Sequence, residues 1–203
     1  MKIAIAGASG QAGSRITDEL SRRGHHVTAI ARNPDRIAKL PGVTATQGDA
    51  NDLKALTQLW AGHDAAISTI HFLVSDPEIL IGAAKDSGVG RYLVVGGAGS
   101  LEVAPGVRLV TTPSFPPQYK AEATKGAEFL DRLKQEKDLN WTFLSPSALF
   151  VAGERTGKFR LGTDQLLTAA DGRSWISFED FAVALADEIE RPAHQRRRFT
   201  VGY

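Results

Sequence analysis

At 203 residues, with a formal net charge of +1 and 23% charged side chains, the chain has the length and balance of one domain, residues 1–203, with a sizeable core. That balance points to no nucleic acid and no membrane surface as partner, and no apolar run approaches the length of a membrane span. There are no cysteines, which excludes disulfides, thiolate metal sites and cysteine nucleophiles.

Lys2 to Ala6 reads as a buried parallel strand that enters Gly7-Ala8-Ser9-Gly10-Gln11-Ala12-Gly13 directly. A strand beginning at residue 2 leaves no secretory signal ahead of it, and a cytoplasmic protein is expected. Ser14 to Arg23 follows as a helix with Ile16 and Leu20 on one face, ended by Gly24. His26 to Ala31 is a second strand with Arg32 at its tip. Asn33-Pro34 opens a short helix. Val43 to Gln47 is a third strand, ending in Gly48-Asp49-Ala50. Asn51 is read as the cap of a helix carrying Leu53, Leu56, Leu59 and Trp60. Ala65 to Ile70 is a fourth strand, Asp76-Pro77-Glu78 opens a further helix, and Arg91 to Val95 is a fifth strand that runs into Gly96-Gly97-Ala98-Gly99-Ser100.

Strands and helices in regular alternation predict an α/β fold, a Rossmann-type doubly wound parallel sheet with its ligand cleft along one edge. The stretch Leu101 to Gln118, with four prolines, breaks the pattern and reads as a loop over that cleft. Tyr119 to Lys137 is a long helix and Leu139 to Leu144 a sixth strand, ending in Ser145-Pro146-Ser147. Gln165 to Ala170 and Ser174 to Ile176 read as two short strands around the turn Asp171-Gly172, a small C-terminal extension on the substrate side. Ser177 caps a helix to about Glu190, Arg196-Arg197-Arg198 reads as a solvated turn, and Arg198 to Gly202 is a last strand. The five histidines (25, 26, 63, 71 and 194) show no ligand spacing with carboxylates, so no metal is expected.

The glycine loop carries the first chemical reading. Gly7 turns the chain off the strand, Gly10 lets backbone approach a pyrophosphate, and Gly13 lets the helix lie close on the sheet. Ser9, Gln11 and Ala12 complete a loop whose free N–H groups and helix dipole face phosphates. Arg32 stands where an NAD-preferring protein has an acid on the ribose hydroxyl. A guanidinium there can fork onto a 2′-phosphate, with Arg36 or Lys39 nearby, so NADP(H) is favoured over NAD(H); the alternative is a plain surface cation. Thr69 and Ile70 end the fourth strand where the cofactor should pass. His71 follows, either facing substrate as a proton donor or serving structure alone.

The spacing Gly7-x-x-Gly10-x-x-Gly13 resembles the extended and atypical branches of the short-chain dehydrogenase/reductase superfamily. That resemblance implies that Asp49 and Ala50 meet the adenine and that Pro146 lies near the nicotinamide carboxamide. It also implies a Tyr-x-x-x-Lys catalyst after a serine. Tyr119 and Ser100 stand at about the right places, but the residue four after Tyr119 is Ala123. Gly97 and its neighbouring glycines are read as clearing space for the nicotinamide ring. Phe143-Leu144-Ser145-Pro146 and Gly153 to Asp164 make the chain similar to NmrA-like and biliverdin/flavin-reductase-like proteins, the short bacterial NADH-flavin reductases above all. The implied function is an NAD(P)H-dependent oxidoreductase reducing a planar aromatic small molecule, a flavin or quinone, by direct hydride transfer. The acceptor pocket would draw on His71, Phe72, Phe115 and Tyr119. The alternative is a non-catalytic NADP(H)-sensing regulator of the NmrA type, and the short C-terminal part disfavours an epimerase. The sequence names no oligomeric state.

Overall fold

The first strand, β1 (Lys2–Ala6), is buried on both faces. Ile3 and Ile5 point to one layer, Ala4 and Ala6 to the other, as the two-residue period of a strand requires. The computed structural model describes residues 1–203. In chain order, β1 is followed by α1 (Gln11–Arg22), β2 (His26–Ala31), β3 (Val43–Gln47), α2 (Leu53–Trp60), β4 (Ala65–Ser68), α3 (Pro77–Asp86) and β5 (Tyr92–Val95). Then come a small hairpin of β6 (Glu102–Ala104) and β7 (Val107–Arg108), α4 (Pro117–Leu133), β8 (Trp141–Pro146), β9 (Leu149–Val151) and β10 (Arg160–Gly162). The chain ends with β11 (Trp175–Ser177), α5 (Phe178–Glu190) and β12 (Arg197–Gly202).

The main sheet has the order β10-β12-β8-β5-β4-β1-β2-β3. All its pairs are parallel except β10 on β12. The chain reverses direction of winding between β1 and β4, so the crevice at their carboxyl ends is the place for a ligand. On one face Ile16 and Leu20 of α1 and Phe181, Leu185 and Ile189 of α5 pack on Ile3 and Ile5. On the other, Leu56 and Trp60 of α2, Leu80 of α3 and Phe129 of α4 cover Ala4 and Ala6. No helix is long and apolar enough to cross a membrane.

Three local readings of the sequence are corrected. Asp52, not Asn51, caps α2: its carboxylate accepts from Ala55 N at 3.0 Å. Gln165 to Ala170 is not a strand; Gln165 makes one isolated bridge to Glu102. The turn at Gly172 exists, with φ +81°, but β11 leaves it to pair in parallel with β9. Phe150 of β9 decides that pairing, because its ring lies 4.4 Å from Phe178 and 4.7 Å from Phe181.

Charged side chains bind α1 to the C-terminal part. Buried Glu19 of α1 accepts from Arg23 at 2.8 Å and from Arg155 at 2.7 and 2.9 Å. Arg23 also reaches Asp187 and Glu190 of α5, both at 2.8 Å. The Arg155 hydrogen bond, chiefly, holds the Glu19 carboxyl below its ordinary range against the opposing push of burial. Arg132 does the same to Glu136, and Arg108 to Asp131. Carboxyls with a lowered folded pKa add stability above their unfolded pKa and lose it as pH falls. Stability should therefore decline from about pH 4.5, the ordinary Glu value, downward. Urea midpoints measured at about pH 6 and about pH 3 check this, and Glu19→Gln should narrow the gap between them.

Candidate cofactor site

The glycine loop is held in place by short-range geometry that only these residues allow. Gly7 has φ +87°, and a Cβ on it would fall 2.5 Å from the Thr69 hydroxyl. Its N–H and that of Ala8 donate to Ile30 O at 3.0 and 3.1 Å. The Gly7 carbonyl accepts from Gly10 N at 3.0 Å and from Thr69 Oγ1 at 2.9 Å. A Cβ on Gly13 would sit 2.3 Å from that same oxygen, so α1 lies closer to the loop than any side chain permits. The N–H groups of Gln11, Ala12 and Gly13 have no acceptor within the chain. Together with the positive end of the α1 dipole they form an anion-binding end.

Above this loop opens a cleft of about 240 Å³. Its lining brings together Gly7, Ser9, Gly10, Arg32, Asp49, Ala50, Thr69, Ile70 and His71, all expected from the sequence. Gln11, Ala12 and Gly13 lie beneath it in the first turn of α1. Arg32 is exposed at the rim, with Arg36 and Lys39 also exposed nearby; Asp49 is the sole carboxylate in the lining. One Asp49 oxygen accepts from Asn51 N at 2.9 Å. Asn51 and Val74 also line the cleft, and sequence reading missed both. Asn51 Nδ2 donates to Val74 O at 2.9 Å, tying the loop after β3 to the turn after β4. An asparagine beside a helix start resembles a cap, and that masked it.

Other candidates lie elsewhere. Ser100 is buried, and its hydroxyl accepts from Arg198 Nη1 at 3.4 Å rather than facing the cleft. Arg198 is itself buried, not in a solvated turn, and its Nε donates to Asp164 at 2.9 Å. Pro146 is buried within β8, in register with Val201. Gly96 clears space for the Phe143 ring and Gly99 for Ala123 of α4; at Gly97 alone a Cβ would meet nothing within 4 Å. Tyr119 is 62% exposed on the first turn of α4. Phe72 turns away from the cleft, with its ring 5.4 Å from Phe129 and 6.3 Å from Phe143 in the core. Phe115 is half-buried in the turn before α4 and lies outside the cleft lining.

His71 remains at the rim. Its Nδ1 lies 3.3 Å from Glu122 Oε1. The same carboxylate accepts from Phe72 N at 2.7 Å and from Leu73 N at 2.9 Å. The exposed segment 153–157 is pinned at several points. Gly153 N donates to Glu179 at 2.9 Å, Ser177 Oγ to Glu154 O at 2.9 Å, and Gly157 N to Asp180 at 2.7 Å. The Tyr203 hydroxyl closes the cluster on Asp180 at 2.7 Å, and burial raises its phenol pKa.

Comparison with known proteins gives the same picture of the chain. A family model described as NAD(P)H-binding matches residues 7–192. Three solved structures, each described as putative, match over the whole chain. An exported protein of Burkholderia pseudomallei is 42% identical, covered to 100%, with TM-score 0.91. An epimerase of Bacteroides thetaiotaomicron is 38% identical, covered to 96%, with TM-score 0.95. An NADH-flavin reductase of Streptococcus pneumoniae is 36% identical, covered to 99%, with TM-score 0.83.

The loop geometry makes Gly13 the most sensitive position. Gly13→Ala forces α1 away from the Gly7 carbonyl and should cost about 1–3 kcal/mol, read as a lowered urea midpoint with an unchanged slope.

Proposed function

Because the chain belongs to the NAD(P)H-binding family, we propose that it is an NAD(P)H-dependent reductase that passes hydride directly to a planar aromatic acceptor such as a flavin or quinone. The observation that carries the reading is the cleft itself. Unpaired N–H groups at the start of α1 suit a pyrophosphate, and a Cβ at Gly97 would meet nothing within 4 Å. The likeness to the Streptococcus pneumoniae NADH-flavin reductase supports the class of acceptor. Hydride transfer to a conjugated ring needs little acid catalysis, since the ring spreads the charge, and proximity supplies most of the rate. Such chemistry tolerates Ala123 where a Tyr-x-x-x-Lys enzyme has its lysine. Gly7 to Gly13 would hold the phosphates, Asp49 and Ala50 the adenine, and Gly97 the nicotinamide side. Pro146, at the buried end of β8, would lie near the nicotinamide carboxamide. A cytoplasmic location goes with this role, since that compartment supplies the reduced cofactor; the exported label belongs to the Burkholderia protein.

Ala123 also motivates a second reading, a regulator that binds NADP(H) without turning it over. An epimerase would return hydride to its own substrate. Steady-state NADPH oxidation with FMN, riboflavin and quinones separates the reductase from the other two. Net oxidation above background is expected. Tight binding without it favours the regulator, and no turnover with any acceptor refutes the reductase.

Arg32 is assigned to the 2′-phosphate, making NADP(H) the preferred cofactor. Arg32→Ala should cost NADPH about 1.5–3 kcal/mol, roughly tenfold to a hundredfold in Kd, through loss of a charge-assisted contact. NADH should change little in the same titration; equal weakening of both removes the assignment.

A further inference from the structure

The geometry points to His71 as the proton donor to an acceptor whose reduction leaves charge on oxygen, a quinone or conjugated carbonyl, with Glu122 as its positioning residue. This rests on the reductase reading and names the acceptor class within it.

Glu122 stands on α4, three residues after Tyr119, and its carboxylate grips the turn that leaves β4. It takes the backbone N–H groups of Phe72 and Leu73 on separate oxygens, at 2.7 and 2.9 Å. The Phe72 ring is fixed from the other side: it fills the space at Gly126, where a Cβ would lie 2.9 Å away. The residue just before, His71, is thus carried on backbone clamped at the N–H groups of the two residues that follow it and at an aromatic ring. Its imidazole is 85% exposed and lines the cleft. A carboxylate oxygen accepts, so in the 3.3 Å contact Nδ1 carries the hydrogen and donates it to Glu122 Oε1. That leaves Nε2 as the nitrogen free for a ligand. Leu73 and Tyr119, 57% and 62% exposed, offer apolar surface on the same turn and on the facing end of α4. An aromatic ring can rest there with its polar edge toward the imidazole.

The balance of the step is simple. When bound, the reduced nicotinamide would supply hydride, the hydrogen of its C4–H bond with the bonding electron pair, to the quinone. The Nε2–H bond of the imidazolium breaks and its proton goes to the resulting aryloxide. NADP⁺ and hydroquinone are the products, and solvent returns one proton to His71. A flavin differs, because hydride arrives at a ring nitrogen and the remaining charge is delocalised, so its reduction places no such demand on a donor.

That difference is the test. NADPH oxidation by His71→Gln, Glu122→Gln and Glu122→Asp is measured with a naphthoquinone and with FMN. General acid catalysis is worth about a hundredfold or more, so His71→Gln should lower kcat with the quinone by at least tenfold. The loss should be at least fivefold greater than with FMN. Glu122→Gln should show the same skew to a smaller degree, Glu122→Asp should retain most of the quinone activity, and the double variant His71→Gln/Glu122→Gln should lose no more than His71→Gln alone. Equal losses with the two acceptors, or none, overturn the assignment while leaving the reductase standing. Absence of turnover by the parent protein overturns both.

Discussion

The carbonyl oxygen of Gly7 is the point on which the cleft is built. It receives the N–H of Gly10 and the hydroxyl of Thr69, and it lies against the bare Cα of Gly13. Three elements therefore meet at one atom: the loop after β1, the end of β4 and the first turn of α1. Thr69 Oγ1 is also 3.1 Å from Ala6 O, so one hydroxyl ties the two strands that flank the crevice. The arrangement leaves the first N–H groups of α1 unpaired and aimed outward. A helix end without acceptors is costly when dry and useful when an anion arrives.

A second set of contacts keeps α1 from rocking on this pivot. Arg15 meets Glu179 at 3.1 Å, Glu19 meets Arg155, and Arg23 meets Asp187 and Glu190. The pairs run along the side of the helix that faces α5 and fasten it to α5 and to the segment 153–157. That segment, though exposed, is held at nearly every residue. The buried pair Arg91–Glu188, at 2.9 Å, does the same for the far end of α5.

The alternation of strands and helices, the phosphate loop and the cleft residues up to His71 are legible in the chain because each depends on near neighbours. Gly7, Gly10 and Gly13 act within one turn, and Arg32 ends a strand whose length is set by its own apolar run. What the chain hides depends on distance. Asp171-Gly172 gives the local signal of a hairpin, yet Phe150, some twenty residues earlier, draws β11 to β9 by burying its ring on α5. Glu122 looks like any exposed acid on a helix, since its partners are backbone N–H groups 49 and 50 residues away. Phe72, beside His71, reads as an acceptor contact until Gly126 provides a socket for it in the core. Ser100 reads as part of a catalytic set until Arg198 claims its hydroxyl.

The antiparallel strand β10 closes one end of the sheet, and its brevity bears on how copies of the chain behave when crowded. Only three residues long, it offers few open backbone groups, and Arg160 turns its guanidinium back onto Thr168 O and Tyr203 O at 2.8 and 2.6 Å. The opposite edge, β3, presents Thr44 and Gln47 to solvent. Neither border is the long, flat, apolar template that recruits foreign strands. A sheet of eight strands thus ends on both sides in segments ill suited to growing further, which protects the chain from edge-to-edge aggregation.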